Sequence, residues 1–200
     1  KIIDTIINLY KNNNLFCHIN ITIYETIISF ILSFVIGIII ASILWFKKSI
    51  AEVLEPYFTI LNSLPKVALG PVILVWCGAN IKSIILMAVL VSVVITIINI
   101  YQGFISTNEN KIKLMNSFKA SKWQIYRMLI IPSNLKTILS TLKISISMSL
   151  IGVVMGEFLV SKKGIGYLIM YGSQVFNLNL VMSGILLLCI LVSILYYIIE

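Results

Sequence analysis

A polar, basic segment interrupts an otherwise strongly apolar chain between Lys111 and Pro132, with the sequence KIKLMNSFKASKWQIYRMLIIP. Charged side chains are costly in hydrocarbon, so this segment must lie in water between the apolar stretches that flank it. Its lysines favour the cytoplasmic side of a membrane. Ser121 and Gln124 have the S-x-x-Q spacing of a capping box, which predicts a helix that runs to Pro132. Such a segment is suited to docking a partner protein; an interfacial loop anchored by Trp123 is the alternative.

Glu157 is the candidate residue for proton chemistry, because it lies within or at the outer end of an apolar run. A carboxylate at that depth must be compensated by a partner, which makes it a functional candidate. Glu25 falls near the end of its own apolar run, so we expect no second intramembrane acid. A hydrogen-bonded or paired structural role for Glu157 is therefore favoured over a proton relay.

Small side chains follow one face of the apolar run that contains Glu157. Steps of four, four, three and four residues keep this stripe on one side of a helix. The stripe consists of Thr141, Ser145, Ser149, Gly152 and Gly156. Small residues let helices approach closely, and the spacing of the two glycines is typical of such packing. Helix packing and the lining of a solute path both remain open for this stripe.

A second candidate pathway element is the stretch LNSLPKVALGP at 61–71. Two prolines and a glycine predict a kinked or broken helix, which a membrane tolerates where the freed backbone groups face protein or water. A kink that serves only packing is the alternative. Five residues are assigned to this candidate pathway, the last two of them from the next apolar run. They are Asn62, Ser63, Pro65, Thr96 and Asn99.

Composition excludes most classes of soluble protein. Hydrophobic residues make up 60% of the 200 residues, charged residues only 11%, and the mean hydropathy is +1.06, which together indicate an integral membrane protein. The net charge of +8 is spread among apolar runs, so we expect no nucleic-acid partner. With three cysteines and one histidine the chain lacks the ligands for a metal site.

The chain contains none of the sequence motifs that would indicate an enzyme. A phosphate-binding GxxxxGK[ST] loop, HExxH and GxSxG are all missing from the sequence. We therefore expect no catalytic residue, no metal and no cofactor bound by this chain. If transport uses ATP, a separate subunit must hydrolyse it.

Apolar runs long enough to cross a bilayer organise the chain as one transmembrane domain over 1–200. Residues 1–20 are expected to form an outer surface segment, and residues 106–136, here called the polar segment, a cytoplasmic loop. The chain starts at Lys1, so we expect a further span upstream. The five predicted spans are 23–46, 57–78, 83–104, 138–160 and 180–199.

Lysine and arginine are biased toward one side of this topology, which orients the polar segment to the cytoplasm. The outer turns hold Lys82, Lys162 and Lys163. The inner segments hold Lys47, Lys48, Lys111, Lys113, Lys119, Lys122, Arg127 and Lys136.

The polar segment resembles the signature E-A-A-x3-G-x9-I-x-L-P of permease subunits of binding-protein-dependent ABC importers. The spacing is kept, while the first three letters and the glycine differ. The matching positions are Lys113, Leu114 and Met115 for E-A-A, Lys119 for G, and Leu129, Ile131 and Pro132 for I, L and P. The continuation Ala120, Ser121, Lys122, Trp123, Gln124 is similar to the A-S-x-W-Q of the family.

Three further stretches resemble the nitrate, sulfonate and taurine branch of these permeases, to which riboflavin and thiamine-precursor permeases are similar. They are LNSLPKVALGPVILVWCG at 61–78, IGVVMGEFL at 151–159 and GIGYLI at 164–169. The resemblance implies an all-α polytopic membrane bundle of the type I ABC importer (MetI-like) kind, with five visible spans and a missing first one. It also implies a small solute, sulfonate-like, taurine-like, nitrate-like or a vitamin precursor.

The resemblance also implies partners in the cell membrane. These are an ATPase subunit that uses ATP, an extracytoplasmic solute-binding protein, membrane lipid and a second permease, most simply an identical copy. The polar segment would form the coupling helix that transmits closure of the ATPase, with contacts around Lys119, Ala120 and Ser121. We expect a steric cost at Lys119, because glycine there permits a tight turn. An ion-coupled secondary transporter and a non-transporting membrane scaffold are the alternatives.

Overall fold

The computed structural model of the chain describes residues 2–11 and 14–199. It is 89% helical and contains no strand among those residues, which confirms the all-α class. The α-helices are α1 (Ile2–Lys11), α2 (Asn14–Phe46), α3 (Lys48–Ser63), α4 (Gly70–Cys77), α5 (Ile81–Ile105), α6 (Glu109–Ser117), α7 (Lys122–Ile125), α8 (Ile131–Ser133), α9 (Leu135–Val160), α10 (Ile165–Gln174) and α11 (Leu178–Ile199). A 3-10 turn, Lys66–Leu69, precedes α4, and a π-helical turn, Tyr126–Ile130, joins α7 to α8.

Four of the described helices are long and apolar enough to cross a membrane. Their apolar stretches are Leu15–Phe46, Ile81–Ile105, Leu135–Val160 and Leu178–Ile198. Helices α2, α5, α9 and α11 contain four of the five runs that the sequence predicts as spans. A helix as long as α2 reaches about 50 Å, well beyond the ~30 Å of a bilayer's hydrocarbon. One end of α2 therefore extends past the hydrocarbon.

Helix α2 begins earlier than the apolar pattern predicts, and this corrects the expected position of Glu25. The helix starts at Asn14, so Glu25 lies about three turns inside it and is completely buried. The polar residues before Glu25 hide the extent of the helix in the sequence, because they read as a loop. The prediction that Glu157 has no second acid within the spans is therefore wrong.

The proline-rich stretch 57–78 is broken, as its prolines predict. Helix α3 ends at Ser63, Leu64 is extended with φ −64° and ψ 136°, and a 3-10 turn leads into α4. Proline at 65 disfavours a helical conformation of the residue before it, which explains the break. That this stretch crosses the membrane stays a prediction.

A helix that the sequence did not predict lies in the stretch expected to be an outer loop, 161–179. Helix α10 buries Ile165, Gly166, Leu168 and Gly172 along one face. Gly164 precedes it with a φ of +112°, a conformation that residues with a Cβ rarely adopt. The steps of three and four residues from Ile165 to Leu168 and Gly172 are helical, although the run is too short for a span.

Contacts divide the chain into two compact units. The first unit comprises Lys1–Ser33, Pro65–Ser92 and Ile146–Glu200, and the second comprises Phe34–Leu64 and Val93–Ser145. Among its described residues, the first unit has one buried cluster of Leu150, Ile165 and Leu191 and another of Ile84, Ala88 and Val153. The second contains a buried cluster of Ala41, Ile100, Phe104, Ile125, Tyr126 and Ile130. In the first unit, α10 and α11 pack side by side.

Glycines on α9 let it approach α5 closely within the first unit. A Cβ at Gly152 would lie 2.5 Å from the Cα of Ala88, and one at Gly156 would lie 3.1 Å from the Cα of Ile84. These are backbone atoms, so the neighbouring helix would have to move as a whole. This close approach is the packing role of the small-residue stripe.

We expect Gly152→Ala to lower the stability of the protein by about 1–3 kcal/mol, because the added methyl group overpacks the contact with Ala88. Thermal unfolding of the purified protein in detergent measures the effect. Ile151→Ala is the matched control, since Ile151 is 43% exposed on the same turn of α9. Equal melting temperatures for Gly152→Ala and the unmodified protein would contradict the close approach.

Candidate functional site

The polar segment consists of three short helices that connect α5 to α9 in the second unit. Asn108 caps the first of them, α6, because its side-chain oxygen accepts a hydrogen bond of 2.8 Å from the backbone N–H of Asn110. The segment is exposed along α6, where Lys113 and Glu109 form an ion pair of 3.9 Å. A polar, capped helix of this kind is suited to water.

A tight turn at Lys119 separates α6 from α7. Lys119 adopts φ +55°, the left-handed conformation that glycine enters most easily. Its N–H donates to the carbonyl of Asn116 at 2.9 Å, and the N–H of Ala120 donates to the carbonyl of Met115 at 3.1 Å. This pair of bonds is the Schellman motif that ends many helices. The structure thus confirms the strained turn expected where the importer signature has glycine.

Helix α7 begins with the predicted capping box. The Ser121 hydroxyl accepts from the N–H of Gln124 at 3.3 Å, and the Gln124 side chain accepts from the N–H of Ser121 at 2.7 Å. The helical path then continues through the π-helical turn and past Pro132 to Ser133. Pro132 lacks an N–H and donates no bond to the preceding turn. The Ile130 carbonyl accepts two bonds from Asn134, from its backbone N–H at 3.2 Å and from its side-chain amide at 2.8 Å.

One face of the polar segment is anchored in the buried cluster of the second unit. Met115 before the turn and Ala120 after it pack against this cluster, and Leu129 and Ile131 do so further along the segment. The buried Tyr126 also bonds through its hydroxyl to that of Ser42 on α2, with the oxygens 2.6 Å apart. These contacts fix the position of the segment relative to α2 and α5 within the unit.

The polar segment also exposes large apolar side chains. Leu114 is 57% exposed, Phe118 74% and Trp123 60%. Trp123 stacks on Phe46 and on Tyr126, with ring centroids 6.0 and 5.7 Å apart. Exposed apolar side chains of this kind suit contact with a protein or with the membrane surface.

The other predicted site residues fall into three groups. Asn62, Ser63 and Pro65 are exposed at and after the end of α3, while Asn99 is half-buried on α5. In the second unit, Thr96 donates to Ser145 at 3.1 Å, and both are completely buried. In the first unit, the hydroxyls of Ser149 and Ser33 lie 3.5 Å apart. The small-residue stripe is therefore filled by contacts between helices, which favours packing over a solute path.

Glu157 is hydrogen-bonded by two separate parts of the first unit. Its carboxylate accepts a bond of 2.6 Å from the Thr22 hydroxyl on α2 and one of 2.5 Å from the N–H of Gly166 at the start of α10. Thr22 in turn accepts from the N–H of Ile165 at 2.9 Å. A side chain at Gly164 would collide with the carboxylate. This arrangement is the paired, structural role that the sequence favours.

A polar stripe on α2 that faces these groups was not predicted from the sequence. His18, Thr22, Glu25, Ser29 and Ser33 recur at three to four residues, and all five are buried. The Nδ1 atom of His18 accepts from the N–H of Gly164 at 2.9 Å. The helical spacing of these polar residues inside an apolar run is the signal in the sequence that could have identified them.

Comparison with known proteins assigns the family. Residues 33–200 match the family described as the binding-protein-dependent transport system inner membrane component. The chain belongs to this family. It is a multi-pass ABC importer permease, a transport subunit with the predicted fold and membrane location.

Relatives of this permease differ in the solutes that their names give. A probable ABC transporter permease of Haemophilus influenzae is 29% identical over 93% of this chain and 76% of its own. The formylaminopyrimidine transport permease ThiX of Halalkalibacterium halodurans is 28% identical over 76% of this chain and 61% of its own. The putative aliphatic sulfonates transport permease SsuC of Bacillus subtilis is 27% identical over 93% and 67%.

A solved structure supports the fold. This permease superimposes on a chain from an inward-facing structure of the MetNI methionine ABC transporter with a TM-score of 0.78, covering 90% of this chain and 89% of that one. The sequence identity is 18%, so the likeness concerns the fold alone.

We expect Lys119→Gly to stabilise the permease by about 1 kcal/mol, because it removes the cost of a left-handed residue with a Cβ. For a chain of this size that corresponds to a rise in melting temperature of about 2–4 °C. Lys122→Gly is the matched control at the first position of α7, where glycine lowers stability. A melting temperature that falls equally in both variants would refute the turn.

Thr22→Val should destabilise the permease by about 1–3 kcal/mol for each polar group that it leaves unsatisfied, namely the Ile165 N–H and one Glu157 oxygen. Thr22→Ser keeps the hydroxyl and should retain most of the stability. Denaturant unfolding of both variants measures the difference. The hydroxyl network has no structural importance if valine and serine give the same midpoint.

Proposed function

We propose that this permease is the membrane subunit of an ATP-driven importer, and that its polar segment docks on a separate ATPase subunit. In this proposal the ATPase hydrolyses ATP, and the docked segment transmits closure of the ATPase to the spans, which open alternately to the two sides of the membrane. The permease itself binds neither ATP nor another cofactor.

The observation that carries this proposal is the two-faced construction of the polar segment. Met115, Ala120, Leu129 and Ile131 tie one face to the buried cluster, so a force on the segment is passed to α2 and α5 of the same unit. The other face presents Leu114, Phe118 and Trp123. Exposed apolar groups beside lysines fit a contact surface for a partner protein.

The remaining partners follow from the family. Two permeases, in the simplest case identical, would form the path for the solute, and an extracytoplasmic binding protein would deliver it. The solute is a small molecule of the sulfonate, taurine or nitrate kind or a vitamin precursor, a range consistent with the names of the relatives above. The binding protein would provide much of the selectivity.

Phe118→Asp is the sharpest test of docking, because Phe118 is 74% exposed and contributes nothing to the buried cluster of the second unit. A charged residue in the centre of an apolar contact typically costs at least about 2 kcal/mol of binding free energy, as loss of a hot-spot residue does. That corresponds to about 30-fold in affinity. We expect the ATPase encoded with the permease to be lost on co-purification, and ATP hydrolysis by the reconstituted complex to fall at least as much.

Phe176→Asp is the matched control. Phe176 is 92% exposed and lies between α10 and α11, outside the polar segment. Its φ is +55°, as at Lys119. This variant should keep the ATPase bound. Full ATP hydrolysis and co-purification in Phe118→Asp would contradict docking through this face. An ion-driven uptake by the permease without any ATPase would instead show a secondary transporter, and no uptake with the ATPase bound would show a scaffold.

A further inference from the structure

Two buried glutamates meet in the first unit, a contact that the proposed transport function does not use. Glu25 on α2 is completely buried and Glu157 on α9 is 1% exposed. Thr22, whose hydroxyl donates to Glu157 at 2.6 Å, lies three residues before Glu25 on the same face of α2, so the two carboxyl groups are neighbours. Two negative charges this close in a protein interior repel strongly, so both groups cannot be ionised at once without a large cost.

Hydrogen-bond donors are distributed very unequally between the two carboxyl groups. Glu157 receives the Thr22 hydroxyl and the N–H of Gly166, and it lies beside the N-terminus of α10. This set of donors stabilises a negative charge. In contrast, neither oxygen of Glu25 accepts a hydrogen bond from a donor among the described residues. A buried carboxylate without donors is strongly unfavourable, whereas a neutral carboxyl group is tolerated.

The neighbours of Glu25 on its own helix do not supply the missing donors. Thr26 donates to the carbonyl of Thr22 at 2.7 Å, so its proton is engaged. Ser29, one turn further along α2, is completely buried, and its hydroxyl also has no partner among the described residues. The unsatisfied oxygens of Glu25 and Ser29 therefore lie together on one face of α2. Buried polar atoms without a partner are rare, so we expect a ligand to bind to this cluster.

The charged and titratable groups around the pair leave its negative charge uncompensated by a cation. Helix α9 contributes Glu157, and α2 contributes His18, whose Nδ1 accepts a hydrogen bond from Gly164. The segment that starts α10 contributes Tyr167, stacked on His18, and Lys163, which acts on His18. Neither glutamate forms an ion pair with a described lysine or arginine. One bound proton is the smallest occupant that removes the repulsion.

We propose that Glu25 and Glu157 form a proton-binding site in which Glu25 holds one proton and Glu157 carries the charge. The proton on Glu25 lies between the two carboxyl groups, and Glu157 keeps its bonds to Thr22 and Gly166. Release of the proton would place two charges at the contact of α2 with α9 and weaken the attachment of α10. This site goes beyond the proposed docking of an ATPase and does not depend on it.

The proposal fixes the direction of the pH dependence. The folded permease holds a proton that a solvent-exposed glutamate of the unfolded chain has already released at neutral pH. This contribution to stability is fully present below the pKa of an exposed glutamate, about 4.3, and it is lost progressively as the pH rises from there through the titration of the folded pair. A permease without this proton site shows no such loss from these residues as the pH rises from about 4.

Infrared spectroscopy of the full permease, purified in the complex that it forms in the membrane, tests the site directly. We expect the carbonyl band of a protonated carboxyl group at neutral pH in the unmodified protein. The band should disappear in Glu25→Gln and persist in Glu52→Gln, an exposed glutamate on α3 that serves as the control. Thermal unfolding in parallel should show a midpoint that falls with rising pH in the unmodified protein and stays constant in Glu25→Gln.

Stability comparisons keep the proposal falsifiable. Glutamine has the shape of a neutral carboxyl group, so Glu25→Gln should fold normally, whereas Glu157→Gln should be clearly less stable because it removes the charge that Gly166 and Thr22 stabilise. The reverse order, or a Glu25→Gln protein that fails to fold, overturns the assignment. A missing band in the unmodified protein overturns the proton site as well. A stability that depends on sodium or potassium instead of pH would show a metal cation in its place.

Discussion

The carboxylate of Glu157 is the contact on which the first unit depends most. A charge buried away from water must be surrounded by donors, and here they come from Thr22 on α2 and Gly166 at the start of α10, parts of the chain far apart in sequence. The absence of a side chain at Gly164 leaves room for the carboxylate. Because one group satisfies several others, its removal disturbs α2, α9 and α10 together. The energetics of this unit are those of a polar network in an apolar setting.

The second unit is held by a different kind of interaction. Apolar and aromatic side chains, with Tyr126 at the centre, join α2, α5 and the polar segment. This packing gives the polar segment a rigid inner face although its helices are too short to be stable alone. The exposed face can then present Leu114, Phe118 and Trp123 in a fixed geometry. A preorganised surface of this kind lowers the entropic cost of binding a partner.

Local patterns made much of this structure predictable. The capping box at Ser121, the break before Pro65 and the strained residue 119 each follow from the chemistry of a few neighbouring residues. The long spans were predictable from hydropathy for the same reason, because a long apolar run is also a local property of the sequence. The start of α2 was not predictable in this way, because polar side chains there are satisfied by tertiary contacts such as that between Thr22 and Glu157.

Residues that meet only through the fold were the least predictable. Glu25 and Glu157 are separated by most of the chain, and nothing in the sequence around either shows that they are neighbours. Helix α10 was missed because its ten residues are too short and too rich in glycine to stand out from a loop. Its stability comes from burial against the first unit, a tertiary effect that outweighs local propensity.

The π-helical turn Tyr126–Ile130 has a consequence for reading related sequences. A wider turn behaves as a one-residue insertion into a helix, and each residue in an α-helix rotates the side chain by about 100°. Positions before and after this turn therefore follow two different helical phases. The lipid-facing and protein-facing positions on α9 should therefore be assigned by counting from Asn134 onward, independently of the positions on α7. A relative that lacks the wide turn would present α9 rotated by about a quarter of a circle for the same sequence spacing.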